Sequence, residues 1–278
     1  MAEIAPLRPA ATVVVLRPAA AHPFDVLLVR RNDKVAFMAG AHVFPGGRVD
    51  DADLAEPVAG CIGLDALGRC QDLSASEEAR YRVAAIRELI EEAGLVLARR
   101  DGRMVDGATA TAVRASLTPR TSLVAQLAAQ GLTMAIDAVM PFAHWVTPEI
   151  EIRRFDTRFL LARTPGEQEA THDNGEMTAL EWLAPEEAIT RALRRDIHLP
   201  PPTWSTLERL SRFASIDQAW QWASTTPIVR IQPGFVRDGE TTTLFLPGDP
   251  SYPCPEGCEP FPHTRFQLVG GGWLPVGP

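Results

Sequence analysis

Two short, unbroken apolar runs open the chain, Ala11-Thr12-Val13-Val14-Val15-Leu16 and Asp25-Val26-Leu27-Leu28-Val29-Arg30. Runs of this length without alternation predict neighbouring buried strands, joined across 17 to 24 by a stretch with two prolines. Phe44-Pro45-Gly46-Gly47 is a strong turn signal. Residues 54 to 73 carry glycines, two cysteines and little periodicity, and predict an inserted loop or small subdomain. A long helix is expected from Ser76, since Ser74 and Glu77 have capping-box spacing and Gly94 supplies a stop. A second helix is expected over about 112 to 130, then strands near 139 to 146, 157 to 162 and 178 to 183. Pro185-Glu186-Glu187 opens a further helix, proline suiting its first position. Beyond Arg195, Pro200-Pro201-Pro202 interrupts the chain. A Trp-rich helical stretch follows to about 224, with short strands near 228 to 231 and 243 to 246 and a loop-like Pro/Gly-rich end. Strands interleaved with helices make the fold class α/β.

The long helix has an unusual polar face. With Glu88 at zero and roughly 100° per residue, Glu91 falls near -60° and Glu92 near +40°. Leu89, Ala93, Ile86, Ile90 and Val83 fall between about 100° and 220°. One face is apolar, and three carboxylates crowd the other. Like charges at these spacings weaken a helix by a few tenths of a kcal/mol each. Helix geometry alone leaves two readings open: a solvated acidic face, or a cluster that binds a hard divalent cation.

Composition narrows the class. The chain has 278 residues, 46% apolar and 22% charged, as in a globular protein with a sizeable core. A net charge of -8 argues against broad nucleic-acid binding. Lys34 is the sole lysine. That excludes a Walker-type phosphate loop and argues against a Schiff-base mechanism. No run reaches the ~20 apolar residues of a membrane span, and Met1-Ala2-Glu3-Ile4 lacks a secretory pattern. No membrane association and a cytoplasmic location are therefore expected. Cys254 and Cys258 form C-x3-C without a partner pair, so Cys61, Cys70, Cys254 and Cys258 are expected to be reduced bystander thiols.

Phe44-Pro45-Gly46-Gly47 followed by Arg87-Glu88-Leu89-Ile90-Glu91-Glu92-Ala93-Gly94-Leu95 resembles the Nudix box, G-x5-E-x7-R-E-U-x-E-E-x-G-U with U apolar. The second half matches at every specified position. In the first half the box glutamate falls at Asp53, and thirty-three residues separate Asp53 from Arg87 where the pattern has seven. Asp53, Glu77 and Glu78 are all candidates for that position. The resemblance implies a Nudix α/β/α sandwich with a mixed β-sheet, an insertion over about 54 to 75 and a C-terminal extension. The Nudix domain would span 1 to 195, with 196 to 278 packed on it.

It also implies a divalent-metal-dependent hydrolase of a diphosphate bond in a nucleotide-linked small molecule. Glu88, Glu91 and Glu92 would ligate Mg2+ or Mn2+, with Arg87 orienting the carboxylates. A further acid outside the box would be the general base, here Glu176, with Glu149 and Glu151 as alternatives. Some Nudix enzymes cut coenzyme A or acyl-CoA to 3',5'-ADP and a phosphopantetheine, and carry L-L-T-x-R-S-x3-R-x3-G-x3-F-P-G-G. Leu27-Leu28, Arg31, Gly40 and Phe44-Pro45-Gly46-Gly47 match this spacing, while Val29, Asn32 and Ala36 depart from it. Arg31, Phe44, Gly46 and Gly47 are thereby the expected substrate-binding residues, and CoA or acyl-CoA the leading substrate. ADP-ribose, NADH and nucleoside-diphosphate sugars are the alternatives, and a non-catalytic binding scaffold is the competitor from another class. Trp204, Trp220, Trp222 and Trp273 motivate a possible homodimer.

Overall fold

A computed structural model describes residues 4–34, 38–53, 61–62, 64–119, 121–172 and 176–277. The two apolar runs form β1 (Leu7–Pro18) and β2 (Phe24–Arg31), followed by the short β3 (His42–Val43) and β4 (Gly46–Arg48). The order continues with β5 (Cys61–Ile62), α1 (Ala75–Ala93), β6 (Ala98–Arg100), β7 (Arg103–Met104), α2 (Gly107–Ser116), α3 (Leu123–Ala129) and β8 (Thr133–Ala135). Then come β9 (Val139–Val146), β10 (Arg154–Arg163), β11 (Met177–Leu183), α4 (Pro185–Leu193), α5 (Pro201–Leu210) and α6 (Ile216–Thr225). The chain ends with β12 (Arg230–Ile231), β13 (Gly234–Asp238), β14 (Thr241–Phe245), β15 (Arg265–Val269) and β16 (Gly272–Pro275).

The main sheet runs β11-β2-β1-β10-β9-β12, with β3 beside β2 and β4 beside β1. It is mixed: β1 with β10 and β9 with β12 are parallel, and the other pairs are antiparallel. Strand side chains alternate between faces, and here both faces are apolar. Ala11, Val13, Val15, Leu27, Leu160 and Ala162 pack with the apolar face of α1. Val14, Leu16, Val26, Leu28, Phe159 and Leu161 pack with α4, α5 and α6. A strand covered on both sides has no polar face, which is why β1 and β2 read as unbroken runs. The result is an α/β/α sandwich.

Several expectations are corrected. The single helix over 112 to 130 is two, α2 and α3, because Pro119 interrupts the chain and Asp106 and Ser122 each cap a separate start. Pro201 and Pro202 do not interrupt; they begin α5, where the missing N–H has no partner to lose. The Trp-rich stretch is two helices, Ser215 capping the second. Phe44-Pro45-Gly46-Gly47 bends at Pro45 as expected and then passes directly into a strand, Gly46 and Gly47 pairing with β1 as part of β4. The loop-like end is a four-stranded antiparallel sheet, β13-β14-β15-β16.

The expected insertion pairs β5 in parallel with β8, and Arg69 donates to the Ala223 and Thr226 carbonyls at the end of α6. Residues 54–60 and 63 of that insertion, Ala36 and the first three residues lie outside the described residues. The tryptophans have partners within the chain: Trp204 is fully buried, Trp220 lies under Arg163, and Trp222 packs on Phe142 and Phe213. Among the described residues no helix is long and apolar enough to cross a membrane.

Candidate active site

Helix α1 is defined at both ends by local chemistry. Ser74 accepts from the Glu77 amide while Glu77 accepts from the Ser74 amide, a complete capping box. Gly94 stops the helix with φ of 71°. Val83, Ile86, Leu89, Ile90 and Ala93 are buried, as the periodicity requires. Glu88, Glu91 and Glu92 therefore face the other way, into a cleft of about 540 Å³ bounded also by β1, β4, β10 and the segments carrying Arg31 and Glu176.

Arg87 organises the carboxylates. Its Nε and one terminal nitrogen donate to Asp53 at 2.9 and 3.0 Å, and the other donates to Glu88 at 2.8 Å and Glu91 at 3.0 Å. A final bond goes to the Arg48 carbonyl at 2.8 Å. All the guanidinium's N–H groups can be satisfied at once, which a lysine could not do. The geometry separates the three candidates for the missing box acid. Asp53 is buried beside Arg87. Glu77 is the capping residue, and Glu78 pairs with Arg82 and accepts from the Gly68 and Cys70 amides. Ten residues of helix, about 15 Å, separate Glu78 from Glu88.

The site is rich in buried negative charge. Burial, reinforced by Glu91 and Asp53, pushes Glu88 up to about 7 despite the opposing pull of Arg87. Burial and the neighbouring Glu88 raise Glu92 well above the usual carboxylate range, and the Gly46 amide at 2.8 Å opposes the shift. Burial also raises Glu91, again against Arg87. Burial alone would lower Arg87, but Asp53, Glu88 and Glu91 outweigh it and hold the guanidinium charged.

These donors suit a hard divalent cation, being all oxygen and carrying more negative charge than Arg87 cancels. Among the described residues no three acidic, His or Cys groups already surround one point. Arg87 draws Glu88 and Glu91 to itself, and Glu92 is turned to Gly46. The fit is one of chemistry and not of a closed coordination shell.

The other expected residues border the same cleft. Arg31 donates to Glu176 at 2.6 Å, and the Asn32 amide donates to the Glu176 carbonyl. Phe44, Gly46 and Gly47 form part of the wall. Of the alternatives to Glu176, Glu151 lines the cleft and Glu149 does not. Asp173, Asn174 and Gly175, beside Glu176, lie outside the described residues. Both box glycines are required by close approach. A Cβ at Gly46 would stand 2.5 Å from the Ala11 carbonyl oxygen, and one at Gly47 2.3 Å from Glu88 Oε1.

The wall that sequence reasoning missed comes from the far end of the chain: Pro200, Pro201, Pro202, Pro233, Leu244 and Trp273. The one local signal, three consecutive prolines, predicts an interruption of the chain rather than a wall. A second cavity, about 30 Å³, lies beside Arg209 and Trp222 and has room for little more than a water. All four cysteines are free thiols, and burial pushes Cys61, Cys70 and Cys258 up to about 11.

A mixed sheet between helix layers, with a helix bearing R-E-L-I-E-E at the mouth of a cleft, defines a Nudix hydrolase. The chain belongs to this family: the family model described as the NUDT19 Nudix domain matches residues 65–210. It is 30% identical to an acyl-coenzyme A diphosphatase NUDT19 of Gallus gallus, over 83% of this chain and 73% of that protein. It is 27% identical to the human protein of the same name, over 88% and 76% respectively. Among solved structures it resembles a NUDIX hydrolase from Alicyclobacillus acidocaldarius with a TM-score of 0.64 and 26% identity, covering 79% of this chain and 97% of that one.

Proposed function

We propose that this enzyme hydrolyses the diphosphate of CoA or acyl-CoA, giving 3',5'-ADP and an (acyl-)phosphopantetheine. The observation that carries the reading is the meeting of the α1 carboxylates, Arg31 and Glu176 at one cleft of about 540 Å³. That is well beyond a diphosphate's needs and within the range of sites for whole nucleotide-linked ligands. The names borne by the relatives point to the same substrate class.

Glu88, Glu91 and Glu92 are the residues that would hold Mg2+ or Mn2+. Such a cation supplies charge neutralisation at the diphosphate and makes water a better nucleophile at neutral pH. The chain's own residues set the geometry. Arg87 fixes Glu88, Glu91 and Asp53 relative to one another, and Gly46 and Gly47 let the backbone come close to the carboxylates. Glu176, which accepts from Arg31, is the candidate general base, and Arg31, Arg48 and Arg153 are cations lining the cleft that a substrate phosphate would meet. A binding-only scaffold has no need of an arginine that holds three carboxylates and the Arg48 carbonyl together.

The test is product analysis with purified protein, Mg2+ or Mn2+, and a panel of CoA, acetyl-CoA, ADP-ribose, NADH and UDP-glucose. Metal-dependent release of 3',5'-ADP is expected, lowered at least about a hundredfold in Glu91→Gln and Glu92→Gln. Preferential cleavage of another compound would discard the CoA assignment, and inactivity of folded protein towards the whole panel would remove the catalytic reading.

A further inference from the structure

The cleft is lined by two chemically different groups of side chains. One comprises the carboxylates, Arg31 and Glu176, and the other is the apolar wall from the C-terminal extension. That wall is poor in hydrogen-bonding capacity as well as apolar. Proline has no N–H, and the carbonyls of this segment are already used: Pro200 accepts from the Trp204 amide and Pro202 from Thr206 Oγ1. Trp145 and Phe159, both buried, line the same cleft. Against the apolar side chains of this wall a hydrocarbon gains more than a purine edge, which needs hydrogen-bond partners.

The wall is held firmly against the catalytic half. The His42 amide, just ahead of the Phe44-Pro45-Gly46-Gly47 segment, donates to the His198 carbonyl at 2.8 Å. Gly272 sits so near His198 that a Cβ there would lie 2.4 Å from Nδ1, which seats β16 and its Trp273 beside Pro200. Leu244 and Trp273 belong to the same apolar cluster as the sheet face beneath α5.

We propose that the C-terminal extension forms a subsite for the acyl chain of an acyl thioester, using Pro201, Pro202, Pro233, Leu244 and Trp273, so that the enzyme favours acylated over free CoA. This rests on the reading of the cleft as a CoA diphosphatase site. Calorimetric binding to the full chain in EDTA, which suspends turnover, tests it with CoA, acetyl-CoA, octanoyl-CoA and 3',5'-ADP. The proteins are wild type, Trp273→Ala and Pro202→Asp. The second variant places a charge on the wall at a helix position that welcomes an acid, so it keeps its fold if Trp273→Ala does not. Octanoyl-CoA is expected to bind wild type roughly tenfold or more tighter than CoA, the gain from burying about two methylenes. Each variant should bring that ratio below about threefold. Equal affinities in wild type would overturn the proposal. So would a ratio that survives both substitutions, or a selective loss of 3',5'-ADP binding, which would put the base on this wall. A chain-length ratio that the variants abolish, in a protein that cleaves no CoA ester, would uphold the subsite and reject the proposed reaction.

Discussion

A Cβ added at Gly46 meets the backbone of β1, whereas one added at Gly47 meets the carboxylate of Glu88. Backbone in a central strand cannot give way, but a side chain can rotate. Gly46→Ala should therefore act on the fold, costing about 1–3 kcal/mol of stability as overpacking does. Gly47→Ala should act on the chemistry, lowering kcat about tenfold or more by displacing Glu88 while the melting temperature stays near wild type. Thermal unfolding and steady-state kinetics on the pair check this, and equal stability losses would show that the two glycines are not so divided. Arg87→Lys keeps the charge but can satisfy fewer of the acceptors now shared by Asp53, Glu88, Glu91 and the Arg48 carbonyl. A fall of about 10–100-fold in metal-dependent activity is expected. Unchanged kcat would mean that the carboxylates hold their places without it.

At the scale of elements, α1 must be fixed relative to the sheet it serves. Asp72, two residues before the capping serine, accepts from Arg158 of β10 at 3.0 and 2.5 Å. That pairing holds Asp72 below the usual carboxylate range, although burial opposes the shift. The native state thus binds fewer protons at this site than the unfolded chain does near pH 4. The stabilisation is complete above the unfolded value and disappears as pH falls through the lower folded one. Urea midpoints of wild type and Asp72→Asn should accordingly differ at pH 6 and converge at the acid end; a constant difference would remove the pair from the account. α1 was legible in the sequence because cap, periodicity and stop all lie within it. The apolar runs of β1 and β2 were legible for a similar reason, being covered on both faces. The C-terminal sheet was not, since its strands are short and set among prolines and glycines. Its signals were the turns: Gly239-Glu240 joins β13 to β14 and Gly270-Gly271 joins β15 to β16, with positive φ at Gly239, Gly270 and Gly271. The carboxylate face could be read from spacing alone. The choice of Asp53 over Glu77 and Glu78 could not, because it depends on a contact across the insertion.

Over the whole molecule, the division at residue 195 is best treated as a change of composition within one folding unit. The family model itself runs to residue 210 and so includes α5. Trp204, Leu207 and Leu210 are fully buried in the cluster that also holds Val14, Leu16, Val26 and Leu28 of the central strands. Truncating one buried Trp to Ala costs about 3–5 kcal/mol, and a buried Leu about 2–5. Losing all three side chains together would exhaust the 5–15 kcal/mol by which a domain is typically stable, before α6 is counted. It would also leave one face of the sheet open to water, an aggregation hazard. A chain ending at residue 195 is therefore expected to be insoluble or to lack a cooperative thermal transition, where the full chain unfolds sharply. A soluble 1–195 fragment with a sharp transition and metal-dependent hydrolysis would show instead that the extension is a separate unit. Its apolar wall would then be an addition to a cleft already complete without it.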